Sequence, residues 1–224
     1  MKRRSARPVD AATVEAIVAD GARALGQPLP PAATASLARY AALVIKWNRV
    51  ANLTGAQDAA EFARKFIVDA LAVRPWIDGC EVADLGSGAG LPGMVLAIVL
   101  PEVRFHLVEP RARRARFLDQ ARIELGLSNV EVHCARGEEW VPDVVLDAIL
   151  CQAVGSLDYI LRTTAGLHRH HARILVAKGQ VPADELAALG PDAAACELVP
   201  LSVPGWATRH LVVIDSRRLA SAPR

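Results

Sequence analysis

Residues 81–93 read EVADLGSGAGLPG, an apolar run that leads into a turn with glycine at positions 86, 88 and 90. Glycine adopts the backbone angles of a sharp turn, and without a side chain it lets a ligand approach the main-chain N–H groups. Pro92 is well suited to the first position of a following helix. The segment therefore predicts a strand, a ligand-binding turn and a helix, because ligands of open α/β sheets bind at the carboxyl ends of the strands.

The chain beyond Cys80 alternates short β-type runs with helical runs. The strand-like runs are 82–85, 105–108, 130–134, 144–150 and 174–176, and the helical runs between them are 92–100, 111–125 and 155–168. This alternation predicts an α/β fold with a mostly parallel sheet and helices on both faces. Residues 196–203 and 207–214, on either side of Pro204-Gly205, predict a closing antiparallel hairpin.

The first third of the chain has a helical pattern. Apolar residues recur at three- and four-residue spacing within 14–18 and 37–45, and the proline-rich stretch 28–31 separates the two helices. A third helix is predicted over about 57–73. We expect the chain to be organised as a basic disordered tip (1–8), an N-terminal helical extension (9–78), an α/β domain (79–216) and a C-terminal tail (217–224).

Composition excludes several classes of protein. The chain has 224 residues, a net charge of +2 and 52% hydrophobic residues, which argues against disorder and against a polycationic nucleic-acid wrapper. Its most apolar run, 94–100, is far shorter than the ~20 residues of a membrane-spanning helix. The four cysteines form no C-x-x-C pair, which is typical of reduced thiols. We expect a cytoplasmic protein that does not associate with membranes.

The glycine pattern indicates which cofactor the turn binds. A dinucleotide fingerprint, G-x-G-x-x-G, requires glycine where Leu91 stands, whereas G-x-G-x-G fits. Glu109 lies 19 residues beyond Gly90, at the end of the next predicted strand, where a carboxylate accepts hydrogen bonds from a ribose diol. Asp84 suits a cationic ligand better than a pyrophosphate, which favours S-adenosylmethionine over NAD. An NAD-dependent oxidoreductase, and a turn that binds nothing, are the weaker alternatives.

The chain resembles the small-subunit (16S) ribosomal RNA guanine-N7 methyltransferases, also called glucose-inhibited division protein B. The resemblance covers about 37–214 and rests on segments that occur in the family's order: Lys46-Trp47-Asn48, Asn52-Leu53-Thr54, residues 84–93, Arg114 with Phe117-Leu118, Lys178-Gly179-Gln180 and residues 209–214. It implies a Rossmann-like class I methyltransferase fold, S-adenosylmethionine as methyl donor, and N7 of a guanine in small-subunit rRNA as acceptor.

The resemblance also implies roles for individual residues. The cofactor-binding candidates are Asp84, Gly86, Ser87, Gly88, Gly90 and Leu91, with Glu109 at the ribose, Arg136, Gly137 and Glu138 by the adenine, and Gln152. The substrate-side candidates are Gln152, Lys178 and Arg209. Guanine N7 carries a lone pair and no proton, so the reaction depends on positioning and needs no general base.

Four arginines at the start of a predicted helix suggest contact with RNA. Arg111, Arg113, Arg114 and Arg116 stand where the helix dipole disfavours cations, and guanidinium groups pair well with phosphates. A solvated helix face is the alternative interpretation. Residues 168–171, His-Arg-His-His, point in different directions around a helix end, so we predict no metal. We expect a monomer that binds small-subunit rRNA or an assembling small subunit.

Three departures from the family pattern lie on the substrate side. Phe66 and Ala70 stand where the family has His and Ser, and Gln152 replaces an Arg that would lie beside the active site. A glutamine can hydrogen-bond but cannot form an ion pair. Two alternatives therefore remain: a divergent paralogue that methylates another RNA or a small molecule, and a non-catalytic RNA-binding or assembly module.

Overall fold

A computed structural model describes residues 9–167 and 172–219. Its seven-stranded sheet has the order β3-β2-β1-β4-β5-β7-β6. The strands are β1 (Glu81–Leu85), β2 (Arg104–Val108), β3 (Val130–His133), β4 (Ala148–Gln152), β5 (Arg173–Lys178), β6 (Cys196–Pro200) and β7 (His210–Asp215). The first five strands pair in parallel, and β7 is antiparallel to both β5 and β6. The predicted α/β sheet with its closing hairpin is confirmed.

Eight α-helices accompany the sheet in the described residues. They are α1 (Ala11–Ala24), α2 (Pro31–Ala51), α3 (Ala59–Phe62), α4 (Val68–Leu71), α5 (Gly93–Val99), α6 (Ala112–Leu125), α7 (Leu157–Thr164) and α8 (Ala183–Ala188). A π-helical turn, Ala63–Ile67, joins α3 to α4, so the predicted third helix is continuous but not regular. No helix within the described ranges is long and apolar enough to span a membrane.

The structure differs from the predicted elements at three places. Strand β4 begins at Ala148 rather than at 144, because Asp147 turns its carboxylate back to accept hydrogen bonds from the N–H groups of Cys80 and Glu81. Helix α7 ends at Thr164, before the predicted end at 168, which lies outside the described residues. The short helix α8 was not predicted.

The N-terminal helices share one hydrophobic core with the sheet. Leu37 and Tyr40 of α2 belong to the same buried cluster as Phe105 of β2 and Phe117 of α6. The opposite face of the sheet packs a second cluster that includes Leu157 of α7. The helical segment thus covers one face of the sheet, behind the glycine turn.

Tyr40 connects the helical segment to the glycine turn directly. Its fully buried hydroxyl donates a hydrogen bond of 2.5 Å to the carbonyl oxygen of Ala89 and lies 3.3 Å from that of Gly90. Its ring packs edge-on against Phe62, with 5.8 Å between the centroids. Burial raises the pKa of Tyr40 well above its ordinary value, so the hydroxyl remains a donor.

Replacing Tyr40 with phenylalanine tests this support. Tyr40→Phe leaves the buried Ala89 carbonyl without its partner, so we expect the free energy of unfolding to fall by about 1–3 kcal/mol. Urea denaturation measures the change. Tyr159→Phe, at an exposed tyrosine, is the matched control and should change stability little. Equal stability of Tyr40→Phe and wild type would contradict the role of the hydroxyl.

Candidate functional site

The glycine turn begins where β1 ends, and its backbone requires glycine. Gly86, Gly88 and Gly90 have φ values of 69°, 60° and 91°, in the left-handed region that side chains disfavour. A Cβ on Gly90 would lie 2.7 Å from Cβ of Met94. Gly86 is exposed and Gly88 is half-buried, so this part of the turn presents main chain to solvent at the carboxyl edge of the sheet.

Glu109, which is buried, connects the glycine turn to α6. Its Oε2 accepts a hydrogen bond of 2.9 Å from the Gly88 N–H, and its Oε1 accepts one of 2.9 Å from the Arg111 N–H. The glycine turn, the end of β2 and the start of α6 are therefore held by one carboxylate. An ionised carboxylate has about four acceptor positions, so Glu109 retains capacity for a ligand hydroxyl.

Asp84 lies near the end of β1, as the sequence predicted, with its side chain turned beneath the glycine turn. The side chain is fully buried, and its Oδ2 accepts a hydrogen bond of 3.0 Å from the Gly93 N–H at the start of α5. Within the described residues, Oδ1 has no hydrogen-bond partner. Burial raises the pKa of Asp84 well above its ordinary value. The carboxyl group thus supports the turn from below, and its contact with a cationic ligand stays a prediction.

The other predicted turn residues divide between backbone and side-chain roles. The Ser87 hydroxyl is also buried and donates a hydrogen bond of 2.7 Å to the Asp84 carbonyl oxygen, and the Ser87 N–H donates one of 3.2 Å to the Val108 carbonyl oxygen, so Ser87 is engaged within the turn. Leu91 is half-buried and packs on the core. Pro92 precedes the helix instead of opening it, because α5 begins at Gly93.

Residues 136–138 lie beside the end of β1. A Cβ on Gly137 would be 2.9 Å from Cγ2 of Thr163 and 3.5 Å from Cδ1 of Leu85, the last residue of β1. Arg136 and Glu138 are exposed, with 4.0 Å between their charged groups. Their contact with an adenine stays a prediction.

A polar cluster joins three distant parts of the chain at the carboxyl edge. Asp69 of α4 accepts hydrogen bonds from Nε2 of Gln152 at 3.0 Å, from Nε of Arg209 at 2.6 Å and from Nη2 of Arg209. Asp69 is 4% exposed. Burial raises its pKa, although Arg209 and Gln152 act in the opposite direction. We call Asp69, Gln152 and Arg209 the acidic-arginine cluster.

The chain after β4 places this cluster next to the glycine turn. Ala153 has φ 56°, an unusual angle for a residue with a side chain, and such backbone strain is concentrated at functional sites. Cγ2 of Val154 lies 3.3 Å from the position of a Cβ on Gly86. The loop 152–154 therefore faces the turn, and its first residue, Gln152, also belongs to the acidic-arginine cluster.

The sequence did not single out Asp69 or Trp206. The guanidinium carbon of Arg209 lies 4.2 Å from the centroid of the Trp206 ring, and Trp206 is 37% exposed. Asp69 carries no local signal in the sequence, because its partner Arg209 lies 140 residues later in the chain. Trp206 follows Pro204-Gly205, where a hairpin turn explained the pattern without a functional role.

Phe66, Ala70 and Gln152, which depart from the family pattern, each have a clear place in the structure. Gln152 keeps a hydrogen bond to Asp69, so the cluster is satisfied without the family's arginine. Phe66 packs against Phe62, with 5.4 Å between the ring centroids, and joins the apolar core. Ala70 is buried in the same core.

Lys178 is engaged within the protein. Its ammonium group lies 2.8 Å from a carboxylate oxygen of Glu185 and 3.0 Å from the Gly155 carbonyl oxygen. Glu185 also accepts a hydrogen bond of 2.7 Å from the Leu157 N–H. Lys178 therefore connects the loop before α7 to α8. In this structure its ammonium group has these partners within the protein and is not free at the site.

The four arginines near α6 differ in their contacts. Arg113 donates to the Val50 carbonyl oxygen at 3.1 Å and Arg114 to that of Asn52 at 2.8 Å. These carbonyls end α2, where the helix dipole favours cations. Arg111 and Arg116 are exposed, and within the described residues no side-chain partner holds them. Contact of all four with RNA stays a prediction, and Arg113 and Arg114 also have a structural role.

The fold and the glycine turn define a class of protein. The architecture matches solved methyltransferases. A SAM-dependent methyltransferase from Aquifex aeolicus matches with a TM-score of 0.52 and 17% identity, over 76% of this chain and 97% of that chain. TrmK of M. capricolum with S-adenosyl-homocysteine matches with a TM-score of 0.52 and 12% identity, over 67% of this chain and 68% of that chain. The fold is that of class I S-adenosylmethionine-dependent methyltransferases.

Sequence comparison gives the particular family. The family model described as "rRNA small subunit methyltransferase G" matches residues 33–212. Proteins named Ribosomal RNA small subunit methyltransferase G are 40% identical in Aromatoleum aromaticum (92% of this chain, 99% of that one) and 39% identical in Pseudomonas syringae pv. tomato (87% and 92%). The chain belongs to this GidB family and is an S-adenosylmethionine-dependent methyltransferase.

The buried carboxyl of Asp84 makes stability depend on pH. A carboxyl group whose pKa is raised by folding stabilises the folded state less as the pH rises from its ordinary pKa of 3.8 toward the raised value. Asp84→Asn keeps an acceptor for the Gly93 N–H and carries no charge. We expect the free energy of unfolding of Asp84→Asn, relative to wild type, to increase from about pH 4 upward.

Urea denaturation over that pH range measures the difference. Asp184→Asn, at an exposed aspartate, is the control and should show no such trend. A constant difference between Asp84→Asn and wild type at every pH would contradict the buried-carboxyl account.

Proposed function

We propose that this protein transfers the methyl group of S-adenosylmethionine to N7 of a guanine in small-subunit (16S) ribosomal RNA. The observation that carries the proposal is the glycine turn facing the loop 152–154, in a chain that belongs to the rRNA small subunit methyltransferase G family. We further propose that residues 79–216 form the methyltransferase domain, that residues 9–78 extend it, and that the protein acts as a cytoplasmic monomer.

The cofactor side of the site fits S-adenosylmethionine. When bound, this cofactor supplies an electrophilic methyl group on a sulfonium. The main chain of Gly86 and Gly88 is accessible to its methionine part, and the Glu109 carboxylate has acceptor capacity for the ribose hydroxyls. We assign Gly137 and its exposed neighbours to the adenine, a proposal supported by their position beside Leu85 at the end of β1.

The acceptor side suits a flat base that needs no deprotonation. Guanine N7 attacks through its own lone pair, so the protein must position the base and exclude competing geometries. Trp206 offers a partly exposed ring for stacking, and Arg209 is held over that ring by Asp69. Because Nε2 of Gln152 donates to Asp69, Oε1 is the atom of Gln152 left to accept from the N–H groups of guanine.

A methylation assay tests this function. Purified protein is incubated with labelled S-adenosylmethionine and unmodified small subunits or naked rRNA, and the RNA is digested and searched for N7-methylguanosine. We expect N7-methylguanosine to form. Trp206→Ala should lower kcat/KM for RNA about 10- to 100-fold, the equivalent of one stacked base, while the cofactor Kd stays unchanged.

The alternatives give different outcomes in the same assay. Methylation of another RNA or of a small molecule, with rRNA unmodified, would support the divergent paralogue. Failure of the protein to bind S-adenosylmethionine in calorimetry would support a non-catalytic assembly module. Either result contradicts the proposed function.

The arginines near α6 divide into two functional sets. We expect Arg111→Ala and Arg116→Ala each to weaken RNA binding and to reduce the slope of log affinity against log salt by about 1, because each removes one phosphate contact. Arg114→Ala should instead lower the free energy of unfolding, because it removes the hydrogen bond to Asn52.

Filter binding at several salt concentrations measures the slopes. Arg218→Ala is the matched control, because Arg218 is exposed beyond the end of β7, at the sheet edge opposite the site. A change in slope for Arg218→Ala as large as for Arg116→Ala would contradict a localised RNA surface.

A further inference from the structure

A second polar cluster lies away from the glycine turn, on the sheet face that carries α7. Glu81, His106, Glu131 and His133 project from β1, β2 and β3 on this face, and Trp140 packs over the two histidines. The parallel register creates the cluster, because it pairs His106 with Glu131 and Val108 with His133. Nothing in the methyl-transfer mechanism uses these residues.

The donor atoms of three of these side chains converge. Nδ1 of His106 lies 3.2 Å from Nε2 of His133 and 3.7 Å from a carboxylate oxygen of Glu131. All three donor atoms lie within 4.8 Å of one another. Two nitrogen ligands of a tetrahedral Zn²⁺, each about 2.0–2.1 Å from the metal, stand about 3.3 Å apart. The spacing of the two imidazole nitrogens therefore matches a zinc site closely.

Glu81 prepares His106 for metal binding. Its carboxylate oxygen lies 2.9 Å from Nε2 of His106, and because an ionised carboxylate only accepts hydrogen bonds, Nε2 carries the proton. In neutral His106 the lone pair is then on Nδ1, directed toward His133 and Glu131. A carboxylate that fixes the tautomer of a ligating histidine is a common feature of protein zinc sites.

We propose that Nδ1 of His106, Nε2 of His133 and the Glu131 carboxylate bind one Zn²⁺ ion, with Glu81 holding His106 in the ligating tautomer. Without metal, the Nε2–H of His133 donates to Nδ1 of His106; on binding, this proton passes through solvent to Nδ1 of His133, so the imidazole stays neutral and its Nε2 lone pair binds the metal. The ion joins β2 to the edge strand β3, directly before residues 136–138.

The site is open to an entering ion. The Glu131 side chain is 50% exposed and His133 is half-buried, so an ion can enter from the edge of the sheet, whereas His106 is 1% exposed. The sequence predicted no metal because the two histidines are 27 residues apart and only their strand register brings them together.

Zinc binding is tested on tag-free, EDTA-treated full-length protein by competition with a chromophoric chelator and by the visible spectrum of the Co²⁺ form. We expect one saturable site. His133→Phe, which keeps a ring against Trp140, and Glu131→Gln should each weaken Zn²⁺ binding at least 30-fold. Glu81→Gln should weaken it about 10- to 100-fold, as is usual for a residue that orients a ligand.

Two controls make the result decisive. Glu139→Gln, at an exposed carboxylate in the next turn, should leave Zn²⁺ affinity unchanged. A variant with alanine at His168, His170 and His171, which lie outside the described residues, should keep the site. The proposal is overturned if wild type shows no saturable binding, if His133→Phe binds as wild type does, or if binding disappears only in the triple alanine variant.

Discussion

The hydrogen bond between the Gly88 N–H and the Glu109 carboxylate is the contact on which the site depends. Gly86, Gly88 and Gly90 have positive φ and no side chains with which to hold the shape of the turn. Glu109 holds it from β2 and at the same time fixes the start of α6 through the Arg111 N–H. The carboxylate assigned to the ribose is therefore also the group that shapes the turn beneath the cofactor.

The N-terminal helices contribute side chains and carbonyl groups that hold the site in place. Tyr40 supports the turn from behind, Asp69 gathers Gln152 and Arg209 on the acceptor side, and the end of α2 receives Arg113 and Arg114. A buried ion pair is costly to break when one partner is removed. Asp69 and Arg209 thus couple the position of the helical segment to the loops that face the acceptor.

The features that depend on local sequence pattern, the strands and the glycine turn, could be predicted from the sequence. Alternating apolar runs identified the five parallel strands, and the spacing of Gly86, Gly88 and Gly90 identified the turn. The sequence did not predict where side chains separated by many residues meet. Strand position does not reveal that the Asp84 carboxyl turns beneath the glycine turn, and Asp69, Trp206 and the His106–His133 pair required the tertiary contacts. The structural role of Arg114 was likewise hidden, because its carbonyl partner lies 62 residues earlier in the chain.

A crystal structure with S-adenosylhomocysteine would test directly how the glycine turn and Glu109 hold the cofactor. We expect ribose hydroxyls within hydrogen-bonding distance of Glu109, the amino-acid part against the main chain of Gly86 and Gly88, and the sulfur facing the loop 152–154. Asp84 should remain beneath the turn, bonded to the Gly93 N–H. A ligand bound away from Glu109, or a glycine turn whose bond to Glu109 is absent both with and without ligand, would contradict this expectation.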